Sequence, residues 1–242
     1  MALPPREDDP ISRNALLRAL APEEFASLNA RLLRVPLVPG QVLHEAGERI
    51  EQVFFIESGL VAVIIEGNSP EDGVGVELLG RDDVVGLCGV LNAATLSFSH
   101  AVVQIPGIAR RVAVSSLHEV LPALPDCRRR LLRAAEVMVA RTGQAAACNG
   151  RHALPERCAR WLLAAHDQMD GDRIDLTHES LSGMLAVWRP GVSAAIGSLR
   201  ASGLVQSGRG WIRVIDRAGL EAASCDCYRR LRGFTARLQS MP

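Results

Sequence analysis

At 242 residues the chain can hold two modest domains, each with its own core. Apolar residues make up 48% and charged residues 22%, the balance of a soluble globular protein, and no uncharged apolar run approaches the roughly 18 residues a membrane span needs. The formal charge of zero conceals an asymmetry: residues 1–116 carry 9 Arg against 15 Asp and Glu, a net of −6, and residues 117–242 carry 18 Arg against 12, a net of +6. A polyanionic partner is therefore expected on the C-terminal half, although the run Arg128-Arg129-Arg130 with Arg133 also suits a solvated helix face.

The chain begins MALPPREDDP, which is acidic and polar rather than basic and then apolar. It is no secretory signal, and the expected compartment is the cytoplasm. Residues 11–35 look helical, with Leu16, Leu17 and Leu20 before Ala21-Pro22, and Phe25, Leu28, Leu32 and Leu33 after it at helical spacing. From Val35 to about Val114 short β-rich runs take over: Gln41–His44, Val53–Ile56, Leu60–Ile65, Val74–Leu79, Ala101–Ile105 and Ile108–Val114. Turn signals separate them at Pro39-Gly40, Ala46-Gly47, Ser58-Gly59, Gly67-Asn68-Ser69-Pro70 and Pro106-Gly107. Such strands with glycine at the corners indicate a roll, sandwich or barrel. The segment contains no nucleophile elbow, P-loop or dinucleotide fingerprint, so it reads as a binding module rather than an enzyme. A cupin-like metal site would need further histidines beside His44 and Glu45, and the sequence offers none at suitable spacing.

From Leu117 to about Gly150 the pattern is helical again, with Asp126 as the expected cap of a long helix. Leu124, Leu131, Met138 and Ala145 recur every seven residues with Ala135 and Thr142 between them, a weak heptad seam that favours pairing with a second copy; the alternative is a helix packed on its own β-domain. A helix Leu154–Met169 follows, with Pro155 in its first turn, and Asp170-Gly171-Asp172 ends it.

Leu176–Val205 then reads as two helices joined by a tight turn. Thr177 caps the first, Pro190 sits in the first turn of the second, and Gly203 stands where a helix C-cap belongs. Leu181, Leu185, Val192, Ile196 and Leu199 form its core face. Ser207-Gly208-Arg209-Gly210 leads into the alternating strand Trp211–Ile215, and Asp216 caps a last helix. A helix-turn-helix followed by a β-hairpin is a winged helix, whose second helix enters the DNA major groove. The alternative is a winged helix that makes protein contacts. The six cysteines, at 88, 127, 148, 158, 225 and 227, form no CxxC pair and no Cys/His cluster at zinc-finger spacing, so reduced thiols and no metal are expected.

The order of helix, glycine-cornered β-roll, long helix and winged helix resembles the Crp–Fnr superfamily of transcription regulators. Its N-terminal carriers are Pro39-Gly40-Gln41-Val42-Leu43, Glu45-Ala46-Gly47 and Val53-Phe54-Phe55-Ile56-Glu57-Ser58-Gly59-Leu60; its C-terminal carrier is Leu176–Asp216. The resemblance implies an α+β fold: an antiparallel β-roll sensor domain (11–121), a dimerisation helix (122–150) and a winged helix-turn-helix (151–242). It implies double-stranded DNA and a second copy as partners, RNA polymerase as a further candidate, and no membrane. Leu131, Ala135, Met138, Thr142 and Ala145 would pair the subunits. Arg189 falls where such regulators place a base-contacting arginine; Pro190, Gly191 and Ser193 follow it on the recognition helix, and Thr177, His178, Ser207 and Arg209 would meet phosphates. Members that bind cyclic AMP carry Gly-Glu and Arg-Ser pairs around the cyclic phosphate, and here these map to Gly86-Leu87 and Phe98-Ser99. Leucine cannot accept a ribose hydroxyl, and an unpaired phosphate charge is costly to bury. A different effector near Gly86, Leu87, Cys88, Ser99 and His100, or none, is expected. With Cys88 the first cysteine, the N-terminal iron–sulfur cluster of the oxygen-sensing branch is not expected, and no cofactor is evident.

Overall fold

Asn14 anchors the start of the chain in the computed structural model, which describes residues 12–67 and 73–240. Its side-chain oxygen accepts the backbone N–H groups of Leu16 and Leu17, capping helix α1 (Ala15–Arg18), while its Nδ2 donates to the carbonyls of Ile56 and Asp83, both at 2.9 Å. Helix α2 (Pro22–Asn29) opens on the expected proline. The helical expectation for residues 33–35 is corrected: strand β1 (Leu33–Leu37) pairs antiparallel with residues 107–111, and that ladder overrides the helical spacing of Leu32 and Leu33. The polar decapeptide at the start and positions 68–70 of one expected turn lie outside the described residues.

Strands β2 (Val42–His44), β3 (Gln52–Ile65), β4 (Val74–Leu79), β5 (Val84–Val85) and β6 (His100–Ala113) complete a six-stranded antiparallel roll. Its order is β1-β6-β3-β4, with β2 also on β6 and β5 also on β3. The expected corners at Ser58-Gly59 and Pro106-Gly107 are not corners. Each lies inside a strand of 14 residues, and the two face each other where the β3–β6 register shifts. A Cβ on Gly59, whose φ is +86°, would lie 2.6 Å from the Ile105 carbonyl oxygen. The paired bulges let both strands bend through the roll without breaking. Phe54, Ile56, Val61, Leu79 and Val103 fill part of the interior.

Helices α3 (Leu87–Leu91) and α4 (Val114–Val120) and a 3₁₀ turn (Leu121–Ala123) lead to the long helix α5 (Pro125–Arg151). Asp126 does not cap it; its carboxylate instead accepts from Arg129 at 2.5 Å and Arg130 at 2.9 Å. The cap comes from α2, where the Glu24 carboxylate accepts the N–H groups of Asp126 at 3.1 Å and Cys127 at 2.9 Å.

The expected pairing seam also needs correction. Leu131, Ala135 and Ala145 are buried in the chain's own core, Met138 packs on the same cluster as Leu131, and Thr142 is half-buried. The exposed face of α5 is shifted by one residue. It carries Leu132, Glu136, Val139, Gly143, Ala146 and Gly150 at alternating spacings of four and three, with Leu132 44% and Val139 68% exposed.

The C-terminal part comprises α6 (Leu154–Gln168), β7 (Arg173–Ile174), α7 (His178–Leu185), α8 (Arg189–Ala201), β8 (Val205–Gly208), β9 (Trp211–Val214) and α9 (Arg217–Ala223). Strands β7, β9 and β8 form an antiparallel sheet in that order. One further helix, α10 (Cys227–Ser240), was not evident in the sequence pattern and packs on α5 and α6. The winged-helix core is continuous with the roll, because Leu60, Ala62, Leu78 and Ile105 share a cluster with Trp161, Leu181 and Met184. The observed mix of antiparallel sheets and helices is the fold class expected. No helix among the described residues is long and apolar enough to cross a membrane.

Candidate nucleic-acid interface

The interface begins with local capping chemistry. Thr177 Oγ1 accepts the Ser180 N–H at 2.9 Å and fixes the start of α7. Ala186, at the end of α7, takes a left-handed conformation with φ +51°, which turns the chain sharply into Val187-Trp188 and then α8. Pro190 lies in the first turn of α8, and Gly203, with φ +75°, closes its far end. One face of α8 is buried through Val192, Ala195, Ile196 and Leu199.

The opposite face is open. Arg189, Pro190, Ser193 and Arg200 are exposed. Arg189, Ser193 and Arg200, four and seven residues apart, fall on one stripe of the helix. The Arg189 side chain is 68% exposed and reaches Glu179 Oε2 only at 3.8 Å, a solvent-screened contact that leaves the guanidinium available. His178 Nδ1 meets Ser193 Oγ at 3.0 Å, so first-helix and second-helix residues converge beside Arg189. Burial and the neighbouring Arg189 charge hold the His178 imidazole below its ordinary range. Gly191 does not face outward: a Cβ there would meet Leu154 Cδ2 at 3.2 Å, so its small size serves the α6–α8 contact.

In the wing, Arg209-Gly210 forms the two-residue tip between β8 and β9, with Arg209 exposed, Gly210 at φ +80° and Ser207 half-buried opposite Ile212. Several residues at this surface were not singled out from sequence. Trp188 is 87% exposed at the start of α8. Arg200 continues the Arg189 stripe. Arg173 and Arg213, paired across β7 and β9, both lie over the Trp211 ring, at 5.3 and 5.9 Å from its centroid. Alternation of Arg213 with buried Ile212 and Val214 was the available signal.

The expected effector residues do not converge. Of Gly86, Leu87, Cys88, Ser99 and His100, only Leu87 lines the cavity of about 310 Å³ between the roll, α5 and α10. Gly86, with φ +84°, serves the turn into α3, where a Cβ would lie 2.4 Å from the Gln52 carbonyl oxygen. Cys88 is half-buried, Ser99 carbonyl oxygen accepts the Ser97 hydroxyl at 2.7 Å, and His100 pairs with Glu66 at 2.5 Å. Phe98 is 83% exposed and stands outside the cavity. The cavity's charged wall instead contains Glu77, Asp82, Asp83, Arg130 and Arg141. Arg141 pairs with Asp83 at 2.6 Å and lies 3.6 Å from Glu77. Burial outweighs that attraction and pushes the Glu77 carboxyl up to about 8.

The cysteines depart most from expectation. Cys148, Cys225 and Cys227 form a buried cluster with His152 beside it, although no short-range spacing links the two ends.

Residues 156–223 match the family described as the Crp-like helix-turn-helix domain. Among solved structures the chain is similar to FixK2 from Bradyrhizobium japonicum, at 18% identity and TM-score 0.68, covering 80% of this chain and 98% of that one. It is similar to the c-di-GMP-responsive global regulator CLP from Xanthomonas campestris, at 14% identity and TM-score 0.65, covering 80% and 99%. A CRP-family transcriptional regulator from Thermus thermophilus aligns at 21% identity and TM-score 0.62, covering 78% and 96%. No curated protein matches the sequence at a significant level.

Proposed function

We propose that this chain, a transcription regulator of the Crp–Fnr type with a Crp-like helix-turn-helix domain, binds double-stranded DNA sequence-specifically, as a homodimer in the cytoplasm. The observation that supports this most is the open first turn of α8, where Trp188, Arg189 and Pro190 are exposed on a helix whose other face is wholly buried. Arg189 reads a guanine, since its guanidinium can donate two hydrogen bonds to O6 and N7. Ser193 contributes beside it. Thr177, His178, Ser207, Arg209 and Arg200 contact phosphates. The functional division of this reading is a sensor roll at 11–121, a pairing helix at 122–150 and a reading head at 151–242.

The subunits pair through the exposed α5 face of Leu132, Glu136, Val139, Gly143 and Ala146. Gly143 and Gly150 have open space where a Cβ would stand, which admits a close helix–helix approach. Two-fold pairing presents two α8 helices to successive major-groove faces of a pseudo-palindromic site. Cyclic AMP is not the effector. Leu87 offers no ribose partner, Phe98 is outside the cavity, and Glu77, Asp82 and Asp83 surround an Arg141 already engaged with Asp83. RNA polymerase is the further partner that a promoter-bound dimer would recruit or exclude, on the function class alone.

Genomic footprinting with and without the gene tests this function. The expected result is protected sites with two-fold-related half-sites about 10–10.5 base pairs, or a multiple, apart. Absence of any gene-dependent site would refute it.

A further inference from the structure

We infer that Cys148, His152, Cys225 and Cys227 form a tetrahedral site for a thiophilic divalent cation of the zinc class, built at the junction of the long helix and the C-terminal helix. The ligand atoms come from two places. Cys148 and His152, four residues apart, lie on one side of the last turn of α5, where His152 is the first residue past the helix. Cys225 and Cys227 flank Asp226 at the entry to α10, and the alternate spacing turns both sulfurs the same way while Asp226 stays exposed. All four donor atoms lie within 4.8 Å of one another.

The separations fit a metal better than a disulfide. Tetrahedral zinc at the usual bond lengths holds neighbouring sulfurs about 3.8 Å apart and a sulfur and an imidazole nitrogen about 3.5 Å apart. Cys148 Sγ lies 3.6 Å from Cys225 Sγ, and Cys227 Sγ lies 3.5 Å from His152 Nδ1. A disulfide would need about 2.05 Å. Three thiolates and one neutral imidazole complete a closed, four-coordinate set of the kind structural zinc sites use. On binding, the three thiol protons pass to solvent and the site carries one net negative charge.

Independent groups around the cluster suit that charge. Arg160 on α6 is 7% exposed, and among the described residues its Nε and Nη2 have no hydrogen-bond partner. Its guanidinium lies over the Trp161 ring, 5.3 Å from the centroid, and close to Cys148 and Cys227, so its positive charge complements the net negative charge of a three-thiolate site. Gln144 Nε2 donates to Cys227 Sγ at 3.0 Å, an outer hydrogen bond that orients a thiolate ligand. The remaining cysteines, Cys88, Cys127 and Cys158, stand in other parts of the core. A bound cation ties residues separated by 77 positions and fastens the C-terminal helix to the segment connecting α5 with α6.

The test is elemental analysis of the full chain purified with zinc present, followed by replacement with cobalt(II). About one zinc per chain is expected, and the cobalt form should show the thiolate charge-transfer band and the intense visible bands of tetrahedral coordination. Cys148→Ser and Cys225→Ser should lose at least ten-fold in retained metal, Cys88→Ser should keep the wild-type content, and His152→Cys should keep the metal with a stronger charge-transfer band. Should the serine variants fail to fold, the wild-type stoichiometry and cobalt spectrum decide alone. Less than about a tenth of an equivalent of metal, a Cys148–Cys225 disulfide in its place, or a cobalt form without thiolate bands would overturn the assignment.

Discussion

Gly107 faces Ser58 across the β3–β6 ladder so closely that a Cβ on Gly107 would lie 2.0 Å from the Ser58 carbonyl oxygen. The neighbour is backbone on a strand bent at its own bulge, so it cannot step aside as a flexible side chain would. Gly107→Ala should destabilise the protein by about 3 kcal/mol or more, read as a lower denaturation midpoint, or prevent folding. Gly233→Ala, in α10 with nothing within 4 Å of its Cβ position, should stabilise by about 0.5–1 kcal/mol. A tolerated Gly107→Ala would show that the paired bulges are not what bends the roll.

Glu77 sets a pH dependence of stability. Its carboxyl has a folded value of about 8 against an ordinary 4.5, with burial as the main cause. The unfolded chain therefore releases this proton at lower pH than the folded one. The stability linked to it is complete below about 4.5 and falls as pH rises toward 8, by up to about 1.4 kcal/mol per pH unit. Denaturant melts across that window should show Glu77→Gln gaining on the wild type as pH rises. Parallel curves for the two proteins would contradict the account.

The proposed pairing face of α5 is testable against its neighbour. Val139→Asp places a charge on the exposed stripe, with Val139 68% exposed in the single chain. It should shift the protein from dimer to monomer in sedimentation analysis and leave the monomer fold intact. Leu131→Ala instead removes a fully buried side chain and should cost about 2–5 kcal/mol of fold stability. A dimer unchanged by Val139→Asp would place the interface elsewhere.

The helix-turn-helix was legible because its punctuation is local. Thr177, Pro190, Gly203 and Asp216 each act within a few residues of where they stand, and the Asp216 cap on the Gly219 N–H, at 2.9 Å, is such a case. The misread features depend on distant partners. The Glu24 carboxylate that caps α5 comes from about a hundred residues earlier. Gly59 and Gly107 signal a turn in isolation, yet opposed to each other they signal a bulge. Both faces of α5 carry apolar residues at heptad spacing, and only the packed roll decides which is covered. Cys148 and Cys225 share no motif because each supplies half of a cluster.

The most direct test of DNA reading by α8 is fluorescence anisotropy of the wild type and Arg189→Ala on a footprinted site over a range of salt concentrations. Wild-type affinity should fall linearly on a log–log scale, with a slope of about −0.9 per phosphate neutralised. Arg189→Ala should bind more weakly by about 1–3 kcal/mol and lose discrimination at one base pair, with a slope close to that of the wild type. Salt-independent binding, or an Arg189→Ala variant as tight and as selective as the wild type, would contradict the account.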